Sequence, residues 1–255
     1  MTRKKLIVGN WKMNMTVHEA SLFVHRLAER AKQHRDVEVV LAPGMLILQP
    51  LSLQIHRAHF KLSSQNLYWR DSGAYTGEVS AAQLHGLVDY AIIGHSERRH
   101  IFNERDKEIR YKVQAAIRND IQPILCIGET AIERADGETK DIIHDQLVSG
   151  LANVTSEDMK HVVIAYEPVW AISNGADFGH HETPTPGNIE KVILAIRSQI
   201  KHLYGEAASN DVRVLYGGSV NAGNASSYLT VNGIDGFLVG GASLDEHVFS
   251  EIIES

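Results

Sequence analysis

Short apolar runs recur along the chain, each followed by a stretch in which apolar residues return every three or four positions. The runs are Lys5–Val8, Val37–Ala42, Phe60–Leu62, Tyr90–Ile93, Ile121–Ile127, Val162–Tyr166, Val212–Tyr216 and Gly236–Val239. They are rich in Ile, Val and Leu and do not alternate cleanly with polar residues. That pattern predicts strands covered on both faces, as in a parallel sheet.

The intervening segments carry helix signals. Thr16-x-x-Glu19 has the spacing of a capping box, and Ala20, Phe23, Leu27 and Ala31 then fall on one helical face. Thr185-Pro186 is an N-cap and first-turn pair opening a helix that contains Val192, Leu194 and Ile196. Ser243-x-x-Glu246 is expected to cap the last helix. The third connection is different, with a loop over Trp69–Thr76 before a short helix predicted over Val79–Leu87. Eight strand-then-helix units in about 250 residues fit an α/β fold of the closed (β/α)8 type. An open doubly wound sheet is the alternative that the same pattern permits. No Gly-, Ser- or Pro-rich linker interrupts the series, so residues 1–255 are expected to form a single domain.

Charge and composition narrow the function. With 25 Lys and Arg against 31 Asp and Glu, the 255-residue chain carries a formal charge of −6. It lacks the basic footprint of a nucleic-acid binder. The N-terminal apolar stretch ends after Leu6-Ile7-Val8, too short for a secretory signal. The longest apolar candidate, Val39–Leu53, is broken by Pro43, Gly44, Gln49 and Pro50 and falls short of the ~18 residues that a membrane helix needs. A soluble cytoplasmic protein with no membrane partner is therefore expected. Cys126 is the one cysteine and lies inside the fifth run, where a buried small hydrophobe is expected. Among 14 histidines only His180-His181 are adjacent, and no metal-ligand motif occurs, so no metal site is expected. His18, His25 and His34 lie in helical segments and are expected to face solvent.

In a barrel the C-terminal strand ends converge on one rim, where active sites form. Here those ends read Gly9-Asn10-Trp11-Lys12, Ala42-Pro43, Gln65-Asn66, Gly94-His95-Ser96-Glu97, Gly128-Glu129, Glu167-Pro168, Gly217-Gly218-Ser219 and Gly240-Gly241. A cation (Lys12), an imidazole (His95) and a carboxylate (Glu167) thus arrive from the first, fourth and sixth strands. A carboxylate base opposed by donors to a developing oxyanion is the combination needed to move a carbon-bound proton beside a carbonyl. The paired glycines after the last two strands let backbone N–H groups approach an anion near helix starts, the usual phosphate site of a barrel. Neither a G-x-G-x-x-G nor a GxxxxGK[ST] motif is present, so no nucleotide cofactor is expected.

Several linked segments resemble one family. These are Gly9-Asn10-Trp11-Lys12-Met13-Asn14, Gly94-His95-Ser96-Glu97-Arg98-Arg99, Ala165-Tyr166-Glu167-Pro168-Val169-Trp170-Ala171-Ile172, Tyr216-Gly217-Gly218-Ser219-Val220 and Gly236-Phe237-Leu238-Val239-Gly240-Gly241-Ala242-Ser243. In order and over essentially the whole chain, they resemble triosephosphate isomerase. The resemblance implies a (β/α)8 TIM barrel that interconverts dihydroxyacetone phosphate and glyceraldehyde 3-phosphate in glycolysis and gluconeogenesis, with no cofactor. It implies Glu167 as base, His95 as the polarising and proton-relaying group, and Lys12, with Asn10 beside it, as positive charge. It further implies a phosphate held by the N–H groups of Ser173, Ser219, Gly240 and Gly241, with Glu97 as an acidic neighbour.

Two features qualify the resemblance. The lid after Glu167 runs thirteen residues from 173 to 185, several more than is usual in the family, and Ser173 stands where family members carry Gly. A Ser backbone still offers an N–H, so activity with altered lid kinetics is expected. Asp71–Glu78 resembles the loop that family members insert into a neighbouring subunit, bringing Thr76 near the partner's rim, so a homodimer is expected. Another phosphosugar enzyme on the same scaffold, or a catalytically idle phosphate binder, is the competing reading, since fold alone does not set function.

Overall fold

The computed structural model describes residues 3–30, 36–172 and 183–255. Eight strands form, β1 (Lys5–Asn10), β2 (Val37–Ala42), β3 (Phe60–Ser64), β4 (Tyr90–Ile93), β5 (Gln122–Ile127), β6 (Val163–Tyr166), β7 (Arg213–Tyr216) and β8 (Gly236–Val239). They pair in parallel in chain order, and β1 closes onto β8 with Val8 opposite Leu238. The result is a closed (β/α)8 barrel, not the open sheet. Each predicted run lies on its strand, with β1 and β3 reaching further and β5, β6 and β7 starting one residue later.

The helices of the first half are α1 (Val17–Arg30), α2 (Met45–Ser52), α3 (Ala81–Leu84), α4 (Ser96–His100), α5 (Asp106–Arg118), α6 (Ala131–Ala135) and α7 (Thr139–Gly150). Those of the second half are α8 (Pro186–Tyr204), α9 (Glu206–Asp211), α10 (Ala222–Leu229) and α11 (Glu246–Glu254).

Two apolar layers explain the lack of alternation in the strands. Leu6, Val8, Tyr90, Ile92, Ile124, Cys126, Val163, Ala165, Leu215 and Leu238 fill the barrel interior as one cluster. The residues between them, including Ile7, Ile93, Leu125, Ile164 and Phe237, belong to a second cluster shared with the helices. Both faces are buried, so both must be apolar. Each such Ile, Leu or Val contributes about 1.5–3 kcal/mol relative to exposure. Cys126 is fully buried in the inner layer, and that burial pushes its thiol pKa up, away from reactivity.

Local signals mostly act as the sequence suggests. The Thr16 N–H reaches Glu19 Oε2 at 2.7 Å and the Glu19 N–H returns to Thr16 Oγ1 at 3.3 Å, and Ala20, Phe23 and Leu27 are buried. Ala31 and His34 lie outside the described residues; His18 and His25 are exposed. Thr185 caps α8 through the Asn188 N–H. Along α8, Ile196 is buried, but Leu194 is 43% exposed and the inward face is carried by Ile189, Ile193, Ile196 and Ile200.

Two expectations are corrected. Asp245, not Ser243, caps the last helix, accepting the N–H groups of His247 and Val248 at 2.9 and 3.1 Å. Ser243 instead turns its hydroxyl back onto the Gly240 carbonyl at 2.7 Å. The helix expected over Val79–Leu87 is only α3, because Ser80 and Gln83 form a capping box at Ala81 and Gly86 adopts φ +75°, which ends the helix.

Candidate active site

The strand phase aims the site. Side chains two apart on a strand share a face, so β6, which sends Val163 and Ala165 inward, also directs Glu167 into the barrel mouth. The same phase carries Leu6 and Val8 on to Asn10, and Leu238 on to Gly240. Close quarters demand small neighbours. A Cβ on Gly128 would lie 1.8 Å from the Glu167 carbonyl oxygen, and one on Gly217 would lie 2.9 Å from Glu167 Cγ.

Asn10, Lys12, His95, Glu167, Ser219, Gly240 and Gly241 all line one cavity of about 240 Å³. His95 and Glu167 are buried. The Glu97 backbone N–H donates to His95 Nδ1 at 3.2 Å, so Nδ1 is an acceptor and the ring proton sits on Nε2. That nitrogen lies 3.1 Å from Glu167 Oε1, while Glu167 Oε2 accepts the Ser96 N–H at 2.9 Å. His95 also caps α4 through its bond from the Glu97 N–H, which fixes the orientation of its ring. Both oxygens of the carboxylate are therefore held by donors on the β4 loop.

Lys12 adopts φ 52°, a left-handed conformation unusual for a side-chain-bearing residue. Its N–H is accepted by Asn10 Oδ1 at 3.1 Å, and its Nζ is 2.6 Å from Glu97 Oε1. A Cβ on Gly240 would lie 3.6 Å from Lys12 Cε, so the cation sits against the glycine turn after β8. Gly241 begins a turn of 3-10 helix, Gly241–Leu244, whose leading N–H groups have no partner within the helix. Ser219 gives both its N–H, at 3.2 Å, and its hydroxyl, at 2.8 Å, to the Ala171 carbonyl.

Ser173 falls in 173–182, outside the described residues, as do His180 and His181 and most of the long lid. Thr76 is exposed on the loop after β3 and lines no part of the cavity.

The structure adds residues to which the sequence reading gave no role. Gln65 donates to the carbonyls of Lys12 and Ala42, each at 2.8 Å. Glu129, buried behind Glu167, accepts from Trp170 Nε1 at 2.9 Å and from the Tyr166 hydroxyl at 3.1 Å. Burial raises the Glu129 carboxyl pKa, against the lowering effect of those hydrogen bonds. Arg134 lies over the Trp170 ring, 3.6 Å from its centre. For Gln65 and Glu129, positions at strand ends were the only available signal, and Arg134 lies within α6. Among the described residues no three His, Cys, Asp or Glu are placed to hold a metal ion, and no helix is long and apolar enough to cross a membrane.

The sequence model of the triosephosphate isomerase family matches residues 5–255. The chain belongs to the triosephosphate isomerase family. It is 44% identical over 255 residues to the triosephosphate isomerase of Chloroherpeton thalassium, covering 99% of each chain. It is 42% identical over 252 residues to those of Alkaliphilus metalliredigens and Caldanaerobacter subterraneus, covering 98% of this chain and 99% of each relative. As a triosephosphate isomerase family member, the chain is an enzyme and an isomerase. The family's barrel is the one built by β1 to β8.

Proposed function

We propose that this cavity interconverts dihydroxyacetone phosphate and glyceraldehyde 3-phosphate by moving one proton between adjacent carbons. Glu167 takes the proton from the carbon beside the carbonyl, and the bonding pair moves onto the carbonyl oxygen to give an enediolate. The Nε2–H of His95 donates to that oxygen, and Lys12 places positive charge beside it, with Asn10 fixing the Lys12 backbone. His95 gives its Nε2 proton to that oxygen and recovers one from the hydroxyl on the adjacent carbon, whose oxygen becomes the new carbonyl. Glu167 returns the carbon-bound proton to the carbon that bore the original carbonyl. No cofactor is required, because the base, the donor and the charge all belong to the chain.

The phosphate is assigned to the N–H groups of Ser173, Ser219, Gly240 and Gly241. For Ser219 this means exchanging its bond to the Ala171 carbonyl for one to phosphate. Glu167 must likewise leave Ser96 to reach carbon. Glu97 holds Lys12 in the absence of substrate and yields it to the substrate oxygens.

The observation that carries this reading is the 3.1 Å approach of Glu167 to His95 Nε2 in a cavity that also holds Lys12 and the Gly240-Gly241 turn. A coupled assay with glyceraldehyde 3-phosphate tests it. Glu167→Gln keeps the shape and removes the base, so turnover should fall at least ~10²–10⁴-fold. A variant as fast as the parent would end the proposal.

The working unit is proposed to be a cytoplasmic homodimer of single-domain chains acting in glycolysis and gluconeogenesis. The loop Asp71–Glu78 is exposed, and Met13 beside the site is 98% exposed, as is fitting for surfaces that a second copy covers. Thr76 would then reach the partner's rim. Sedimentation should give twice the chain mass, and a fully active monomer would refute the dimer.

A further inference from the structure

A second cavity, of about 400 Å³, lies between α7 and α8 and shares no lining residue with the catalytic one. Its size is that of a small-molecule site, and its walls are apolar, with Ile143, Ile189 and Val192 contributed by the two helices. Tyr166, Trp170 and the buried Glu129 close its inner end. Three cations stand at its edge, Arg134, Lys140 and Lys191. Among the described residues none of the three is in an ion pair, and Arg134 is held over Trp170. An apolar chamber with three cations at its mouth selects a ligand that is apolar in body and anionic at one end.

We propose that this cavity is a regulatory site for a small aromatic monocarboxylate, and that its occupancy weakens phosphate binding at the catalytic rim. The ligand's ring lies among Ile143, Ile189 and the Trp170 end, and its carboxylate meets the cations.

The route to the rim is short. Trp170 precedes Ala171, whose carbonyl accepts both the N–H and the hydroxyl of Ser219. A ligand packed against Trp170 in this position favours the state in which Ala171 and Ser219 are joined. Substrate phosphate, in the function proposed above, needs the Ser219 N–H and favours the state in which they are apart. Two ligands that prefer opposite states of one element weaken each other reciprocally. The site itself rests only on the second cavity; the coupling rests on the assignment of Ser219 to phosphate.

The probe is 1-naphthoate, titrated calorimetrically into the full-length protein. Saturable binding of one molecule per chain is expected. The double substitution Lys140→Glu and Lys191→Glu, which reverses two charges at the mouth, should weaken binding roughly tenfold or more. Ala195→Phe, which fills the chamber from α8, should abolish it. Both variants should keep the parent kcat without ligand, since neither touches the catalytic cavity. Inorganic phosphate should weaken 1-naphthoate binding to the parent, and 1-naphthoate should raise the parent's apparent KM but not that of the variants. Absence of saturable binding, or binding undiminished in both variants, overturns the site. Binding that the variants remove but phosphate leaves unchanged overturns the coupling. Failure of the catalytic reading is seen separately, in the Glu167→Gln assay, because the binding titration does not depend on turnover.

Discussion

Gln65 hydrogen-bonds the carbonyl of Lys12 across the barrel mouth at 2.8 Å, and its other amide hydrogen reaches Ala42 at the same distance. Lys12 is thus gripped on both sides of its left-handed backbone, Asn10 accepting its N–H and Gln65 donating to its C=O. That conformation costs on the order of 1–3 kcal/mol unless its surroundings impose it. Gln65 is accordingly a positioning residue for the cation.

Gln65→Leu removes both donors while keeping the volume, and Lys12 should lose its fixed position relative to substrate. KM for triose phosphate should rise roughly tenfold with kcat falling less, since misplacement of a charge that contacts bound substrate weakens binding first. Steady-state kinetics on a variant of unchanged Tm check this. A purely structural role would lower Tm and leave the KM of the folded fraction alone.

Gly128 is set by Glu167. The added methyl of Gly128→Ala would meet a backbone carbonyl at 1.8 Å, and a carbonyl in the strand end cannot swing aside as a flexible side chain can. The β5 and β6 ends must separate, carrying Glu167 away from His95. The expected outcome is a loss of more than about 3 kcal/mol in unfolding free energy, beyond the usual cost of overpacking, and at least ~10²-fold in kcat/KM. Denaturant titration and the coupled assay measure the two effects, and a stable, active variant would contradict the geometry.

How much of this was legible in the sequence depended on range. The strands were readable because burial on both faces leaves its mark in consecutive residues, and Glu167, His95 and Lys12 stood out because charged groups at strand ends are chemically conspicuous. Gln65 did not, because an amide at a loop start is ordinary until its two acceptors, one in the loop after β1 and one at the end of β2, are seen beside it. Ser243 shows the limit in the other direction. Its spacing to Glu246 fits a capping box, yet Asp245 lies closer to the helix start and carries a charge that the helix N-terminus favours, so it wins the position.

Asp245 also predicts an acid dependence. Hydrogen bonds from the Val248 and His247 N–H groups hold its carboxyl below the usual aspartate range. Its contribution is therefore complete above the unfolded-state pKa of about 4 and is lost as pH falls through the lower folded value. Asp245→Ala should cost about 1 kcal/mol at pH 7 and less near pH 3. Thermal unfolding of both proteins at the two pH values checks the sign, and a gap that widens on acidification would be inconsistent with it.

Glu129 predicts the opposite slope. Burial is the largest influence on it and raises its pKa, so the folded state holds that proton more tightly than the unfolded chain does. Its favourable contribution is present below the ordinary glutamate pKa of about 4.3 and fades as pH rises through the raised folded value. Above that value the fold carries an ionised carboxylate whose compensation is the pair of hydrogen bonds from Trp170 and Tyr166. Glu129→Gln retains a carbonyl oxygen to accept from those donors and cannot ionise. Relative to the parent, the variant should therefore gain stability as pH rises from about 4.5 to 8, by an amount set by how far the folded pKa is raised. Urea titrations at matched ionic strength across that interval measure the difference. A gap that runs the other way would mean that the two donors, and not burial, dominate the carboxylate's energy.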